Sequence, residues 1–147
     1  MEIKKFQHGH NSQDVIAAIE KDGAVIITDA LVGKELEALR GETDQWLSFT
    51  DNCDGIFHGY KTKRVGGLIA KSGICQSMAI NETVLDVMDH FLLPSCSDYQ
   101  INLTQLISIA PNEKQQILHP DEGLFPFDHP GTQSMLNVMW AVDDFTE

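Results

Sequence analysis

A histidine and an aspartate stand two residues apart in the stretch QQILHPDEGLFPF, residues 115–127. Residues i and i+2 of a strand point to the same face, roughly 6–7 Å apart along the backbone. An imidazole nitrogen of His119 and a carboxylate oxygen of Asp121 can therefore converge on one cation. Such a pair is the start of a 2-His-1-carboxylate site, which suits Fe(II) because it leaves coordination positions open. Taken alone, the spacing is a weak signal, and it is more often found in an exposed turn or a hydrogen-bonded pair than in a metal site.

The other histidines offer no convincing third ligand. His129 follows closely in the sequence, so it would have to fold back on its own hairpin to reach the pair. His8, His10, His58 and His90 all precede the predicted sheet. We expect His90 to lie in a helix as a satisfied histidine, and the HGH run to be a frayed end.

Three helical regions and one strand are predicted before residue 95. Ser12 is a suitable N-cap and Gly23 a suitable stop for the first helix. Asn81 is expected to cap a second segment of the third region, and Pro94 to end it. The run AVIITD is β-branched and apolar, which is typical of a strand. The predicted ranges are 12–22, 33–47 and 73–93 for the helices and 24–29 for the strand.

Residues 48–72 are expected to be irregular, because glycine, asparagine and aspartate recur there. Lys61, Lys63, Arg64 and Lys71 gather in this stretch of an otherwise acidic chain. Two interpretations stay open: a solvated loop, or a loop that faces an anionic substrate.

The pattern changes to the alternation of strands in the C-terminal third. Strands are predicted over 99–110, 115–119 and 134–145. The apolar face of the first of these strands is expected to comprise Ile101, Leu103, Ile107 and Ile109. Helices followed by strands indicate the α+β class. We expect one domain over 1–147, helical or irregular over about 1–95 and built of β-strands with the metal motif over about 96–147.

The bulk composition excludes several classes of protein. The 147 residues suffice for one domain, and 22 acidic against 10 basic residues give a net charge of −12. Such a surface repels nucleic acids and anionic membranes. No apolar run approaches the roughly 18 residues of a membrane span, and no signal peptide is recognisable. Three cysteines without a CxxC pair indicate reduced thiols, so we expect a cytoplasmic protein.

The surrounding residues resemble the phytanoyl-CoA dioxygenase family of Fe(II)- and 2-oxoglutarate-dependent oxygenases. The resemblance rests on INLTQLISIAPNEKQQILHPDEGLFPF and LNVMWAVDDFTE, and it extends to DGAVIITDALVGKELEALR and TKRVGGLIAKS nearer the N-terminus. It implies a double-stranded β-helix, a jelly-roll or cupin-like barrel with helices outside. It implies that His119 and Asp121 are iron ligands and that Gln116 hydrogen-bonds 2-oxoglutarate. Asn137 and Trp140 are weaker candidates for the co-substrate pocket. They project to opposite faces, so we expect at most one of them to line it directly, and core packing is the favoured alternative for Trp140.

The resemblance further implies hydroxylation of a small organic molecule or an acyl-CoA thioester, with O₂ as co-substrate. The basic stretch 61–71 could serve an anionic substrate. The family's third iron ligand and its 2-oxoglutarate arginine follow the segment that matches DDFTE, and this sequence ends there, directly after a predicted strand. We therefore expect a C-terminally truncated, incomplete barrel with impaired activity.

The alternative is a non-catalytic jelly-roll domain for binding or oligomerisation. Its exposed terminal strand would then add to a strand of another chain or of a second copy.

Overall fold

The computed structural model describes residues 2–128 and 130–145 of the chain. Within these ranges, four α-helices and four strands form a mixed α/β structure with two small sheets. The elements are β1 (Lys4–Gln7), α1 (Ser12–Asp22), β2 (Val25–Thr28), α2 (Lys34–Phe49), β3 (Thr62–Gly66), α3 (Gly73–Ala79), α4 (Glu82–Leu92) and β4 (Gln105–Ile109), with 3₁₀ turns at Leu68–Ala70 and Asp121–Leu124. None of the helices in this part of the chain is long and apolar enough to cross a membrane.

The N-terminal sheet pairs β1 with β2 in parallel, and α1 makes the crossover between them. Asn11 caps α1, since its side-chain oxygen accepts from the Gln13 N–H at 2.8 Å. The predicted cap, Ser12, is wrong by one residue: it is the first residue of the helix. Gly23 ends α1 as predicted, because its φ of 78° lets its N–H reach the Ile19 carbonyl at 2.8 Å.

The first hydrophobic core joins α1 to α4 beneath the parallel sheet. Its buried members are Phe6, Val15, Ile16, Ala18 and Val87. Helix α4 begins after Asn81, whose side chain accepts from the Val84 N–H at 3.2 Å, as predicted.

The second core lies between α2, α3 and one face of the antiparallel pair β3–β4. Its buried members are Leu39, Val65, Leu68 and Cys75. Val65 stands opposite Leu106, and Leu106 packs against this core. The prediction that 48–72 is wholly irregular is therefore wrong, because β3 and a 3₁₀ turn form there with long-range partners.

The predicted apolar face of the strand over 99–110 is also wrong. The strand is shorter, Gln105–Ile109, and its inward residue is Leu106. Ile107 and Ile109 lie on the outer face and are 40% and 67% exposed. The reason is the partner strand: the face that carries Val65 is the one that α2 and α3 cover.

The other strands predicted after residue 96 are absent from the described residues. Neither 115–119 nor 134–145 is assigned to a strand, and three of the four strands precede Glu82. Alternation of apolar residues does not make a strand unless a neighbouring backbone supplies the ladder hydrogen bonds, and these segments have no such neighbour within 2–128 and 130–145. In those ranges the strands do not make a complete barrel.

The segment 134–145 is held by side chains instead. Leu136 packs against the first core and Val142 against the second. Arg40 of α2 donates to the Val142 carbonyl at 2.7 Å and forms an ion pair with Asp143 at 2.6 Å. These contacts fix the stretch that contains Asn137 and Trp140.

Candidate metal centre

The structure brings the two predicted metal ligands together. His119 Nε2 lies 3.2 Å from Asp121 Oδ1. The pair sits where an extended segment meets the 3₁₀ turn Asp121–Leu124, and Pro120 between them has φ −78° and ψ 128°. Because the backbone at Pro120 is extended, the side chains of His119 and Asp121 converge as they would on a strand. Both side chains remain partly open to solvent, the imidazole at about one-third of its surface.

The tautomer of His119 follows from its second contact. Nδ1 lies 2.7 Å from the Ile117 carbonyl, and because a carbonyl can only accept, Nδ1 carries the hydrogen. In the neutral imidazole, Nε2 therefore presents a lone pair to the Asp121 carboxylate. Two acceptors at 3.2 Å repel each other unless a proton or a metal ion lies between them. The donor set, one imidazole nitrogen and one carboxylate oxygen, fits Fe(II).

Asn137 holds the other carboxylate oxygen of Asp121. Its side-chain amide donates to Oδ2, so the two oxygens of Asp121 face different partners. The two residues line a surface depression of about 150 Å³, whose other walls are Pro120, Glu122, Gln133 and Met135. That Asn137 contacts a co-substrate stays a prediction; in this arrangement it orients a candidate ligand.

Gln116 precedes His119 by three residues, and its side-chain amide donates to the Phe57 carbonyl at 2.7 Å. It also lines a second depression, of about 210 Å³, together with His58, Thr62, Arg64, Ile109 and Glu113. Its predicted role toward 2-oxoglutarate stays a prediction. Trp140 is half-buried, which fits either role proposed for it.

Arg64 is a candidate for binding an anionic group. The sequence analysis identified it only as one of four basic residues in a predicted loop. It projects from the outer face of β3 opposite Ile107 and is half-buried. Its Nη1 donates to Gln105 Oε1 at 2.8 Å, but its Nε is buried and has no hydrogen-bond partner among the described residues. Arg64 also lines the 210 Å³ depression, together with Lys114 and the Glu113 carboxylate, which makes its guanidinium a candidate group for an anion there. The alternation of side chains between the two faces of a strand over TKRV was the signal that could have placed Arg64 on the face opposite Val65.

Glu113 is the second residue that sequence reasoning missed. Its carboxylate accepts from the backbone N–H of Lys61 and of Lys114 and from the Thr62 hydroxyl, the last at 3.2 Å. These hydrogen bonds, that from Lys61 above all, lower the pKa of Glu113. Gly59 makes room for it: a Cβ there would stand 2.5 Å from Glu113 Oε2, and its φ is +88°. Glu113 thus fixes the chain that leads into β3 and Arg64.

The Glu113→Gln variant is expected to lose stability in a pH-dependent way. The folded-state pKa lies below the ordinary value of 4.5, so the carboxylate stabilises the folded chain above that pH and stops doing so as the pH falls through the lowered pKa. Urea unfolding should show the variant less stable at neutral pH, with the deficit shrinking as the pH falls below the ordinary carboxyl pKa of 4.5. Asp44→Asn, at an exposed position of α2 beyond the first turn of the helix, is the control. A deficit that is the same at every pH would contradict this role.

No third candidate ligand accompanies His119 and Asp121 among the described residues. Within 2–128 and 130–145, no three His, Cys, Asp or Glu side chains are grouped so as to hold a metal ion. His129, considered above, lies outside the described residues. His90 is engaged elsewhere, with Glu20 at 2.8 Å on the surface between α4 and α1.

Comparison with known proteins adds an independent finding. The family model for phytanoyl-CoA dioxygenase (PhyH) matches residues 19–147. Curated relatives include Dioxygenase ALT11 of Alternaria alternata, 29% identical over 91% of this chain and 50% of the relative. Dioxygenase FUM3 of Gibberella moniliformis is 27% identical over 87% of this chain and 48% of the length of the relative. Dioxygenase cdmA of Talaromyces verruculosus is 26% identical over 99% of this chain and 54% of the relative.

The chain spans about half the length of the curated relatives it matches. The match covers far more than half of the chain itself, and it includes the segment with His119 and Asp121. The resemblance drawn from the sequence motifs is thereby confirmed. This chain belongs to the phytanoyl-CoA dioxygenase family.

Proposed function

We propose that this chain forms part of the catalytic centre of an Fe(II)- and 2-oxoglutarate-dependent dioxygenase. The observation on which the proposal rests is the pair His119 Nε2 and Asp121 Oδ1, 3.2 Å apart, with Nδ1 committed to a carbonyl. In this arrangement His119 and Asp121 would hold Fe(II). When bound, Fe(II) couples the reduction of O₂ and the oxidative decarboxylation of 2-oxoglutarate to oxidation of a substrate C–H bond.

Neighbouring residues would prepare the two ligands for this task. The Ile117 carbonyl keeps the proton on Nδ1 of His119, and the Asn137 amide keeps one carboxylate oxygen of Asp121 occupied, leaving Oδ1 turned toward the imidazole. Partners of this kind orient metal ligands and raise their basicity.

Arg64 and Gln116 are our candidates for binding 2-oxoglutarate. Both line the 210 Å³ depression, and the guanidinium of Arg64 would supply a charge-assisted hydrogen bond to a carboxylate. Asn137 and Trp140 remain further candidates from the family resemblance. For the substrate we propose a small organic molecule or an acyl-CoA thioester, whose anionic part could meet Lys61 at the rim of β3.

The whole reaction needs a third ligand, which by the family pattern is a histidine placed after the DDFTE segment. We therefore propose that residues 1–147 by themselves bind metal weakly and turn over slowly. Fe(II)-dependent formation of succinate from 2-oxoglutarate measures this directly. A low rate is expected, and full turnover by these 147 residues would overturn the proposal that their site is impaired.

A second candidate function, a domain that pairs with another chain or a second copy, is favoured by one observation. The outer face of β3–β4 exposes Ile107 and Ile109, and the sheet has only two strands within the described residues. Calorimetric titration with Mn(II), a redox-stable substitute for Fe(II), separates the two functions. Binding that depends on His119 supports the oxygenase, whereas no binding with or without 2-oxoglutarate supports the pairing domain.

The location in the cell is part of the proposal as well. Cys53, Cys75 and Cys96 are all free thiols in the structure. Free thiols are typical of reducing compartments, so they support a cytoplasmic protein.

A further inference from the structure

A short turn ahead of β3 reaches the candidate metal centre. The Gly59 N–H donates to the Gly55 carbonyl at 2.9 Å, which closes a loop with Phe57 at its centre. The loop is anchored on both sides. The Cys53 N–H donates to the Thr62 carbonyl at 2.7 Å, and Glu113 occupies the space beside Gly59. Phe57 is thus held by a fixed piece of backbone.

Phe57 contacts two of the predicted site residues through different atoms. Its ring meets the His119 imidazole edge to face, with centroids 4.8 Å apart and planes at 60°. Its carbonyl accepts from the Gln116 side-chain amide at 2.7 Å. Phe57 as a whole residue is 48% exposed, so it is only partly covered by its neighbours.

We propose that Phe57 is a positioning residue for His119 and Gln116. Its ring restricts rotation of the imidazole about the Cβ–Cγ bond, and together with the Ile117 carbonyl it keeps Nε2 directed at Asp121. Its carbonyl fixes the plane of the Gln116 amide, so the amide oxygen stays turned away from Phe57. The proposal rests on the proposed function, because it assigns Phe57 a role in metal binding at that site.

The ring and the carbonyl make separable predictions. A side-chain substitution removes the ring contact and leaves the carbonyl in place, so it acts on His119 and spares Gln116. Aromatic pairs of this geometry are favourable beyond simple area burial, and residues that orient metal ligands typically change metal affinity about 10-fold to 100-fold when replaced. Since Phe57 is one of two groups that hold the imidazole, we expect the lower end.

The test compares Phe57→Leu with Phe49→Leu, a change of the same chemistry at a position that is 87% exposed at the end of α2. Phe57→Leu is expected to lower Mn(II) affinity about 10-fold by calorimetry, and Phe49→Leu to leave it unchanged. Phe57→Tyr, which keeps the ring, should restore the affinity of the wild type. In metal-free protein, the imidazole protons of His119 should lose the ring-current shift in Phe57→Leu and keep it in Phe57→Tyr.

The outcomes distinguish this role from the proposed function. If the wild type binds Mn(II) and Phe57→Leu binds it equally well, the positioning role is overturned while the metal site stands. If the wild type binds no Mn(II), the proposed function fails and the role falls with it. Should Phe57→Leu lose its circular-dichroism spectrum, Phe57→Met takes its place in the same comparison.

Discussion

The His119→Ala variant is expected to bind Mn(II) at least about 100-fold more weakly than the unaltered chain. Replacing even a residue that only orients a ligand typically costs 10-fold to 100-fold in metal affinity, and this change removes the ligand itself. It leaves Asp121 as the one remaining candidate ligand among the described residues, still held by Asn137. Calorimetric titration of both proteins measures the difference.

His90→Ala is the matched control for this experiment. His90 pairs with Glu20 at 2.8 Å on the surface between α4 and α1, so its loss should not alter metal affinity. Equal affinities for His119→Ala and the unaltered chain would show that metal bound to this protein sits elsewhere. A loss of affinity in His90→Ala would point to a change in folding, which the unfolding midpoint of each variant would reveal.

Replacing Arg64 by glutamine should weaken 2-oxoglutarate binding by about 10-fold to 100-fold, measured in the presence of Mn(II). A hydrogen bond to a charged group contributes about 1.5–3 kcal/mol, and the Arg64 guanidinium, which lines the depression, would be its donor. Arg64→Lys should recover little of this, because a lysine lacks the two-pronged geometry that matches a carboxylate.

Lys63→Gln is the control for the Arg64→Gln experiment. Lys63 is the next residue along β3, but it lies on the opposite face and donates to the Leu47 carbonyl at 3.0 Å. The variant removes the same unit of charge without touching the depression that Arg64 lines. If Lys63→Gln and Arg64→Gln weaken 2-oxoglutarate binding to the same extent, the effect is one of overall charge, and the specific contact of Arg64 is refuted.

Local signals in the sequence predicted the helices well. Gly23 and Asn81 stand at the helix boundary positions expected of them, because a left-handed stop and a side-chain cap depend on a few neighbouring residues. The N-cap of α1 was off by one residue, since asparagine and serine stand side by side there and the same chemistry suits both.

Strands were predicted less well because they depend on distant partners. The segment 134–145 alternates as β4 does. Among the described residues, however, β4 pairs with a neighbouring strand, β3, some forty residues earlier, and 134–145 pairs with none. That pairing also reverses the expected faces, with Leu106 inward and Ile107 outward. The side on which a strand is covered is decided by what packs against it, which the alternation alone does not state.

The site shows the same division between local and long-range information. His119 and Asp121 could be found from their spacing, because two residues of one segment need only an extended backbone to converge. Phe57 contacts His119 and Gln116, and Arg64 shares a depression with Gln116. Both Phe57 and Arg64 come from a segment that precedes these residues by more than fifty positions, and they are placed by the β3–β4 register and the turn that Glu113 anchors. Nothing in the local sequence around either residue specifies that approach.

The coupling between metal and 2-oxoglutarate tests the proposed function most directly. Titration of 2-oxoglutarate into the 147-residue chain, followed by calorimetry, is carried out with and without Mn(II). If His119 and Asp121 hold the metal and 2-oxoglutarate binds to it beside Arg64, the affinity should rise roughly 5-fold to 150-fold when Mn(II) is present, and 2-oxoglutarate should raise the affinity for Mn(II) by the same factor. Affinity for 2-oxoglutarate that is the same with and without Mn(II) would contradict a shared site.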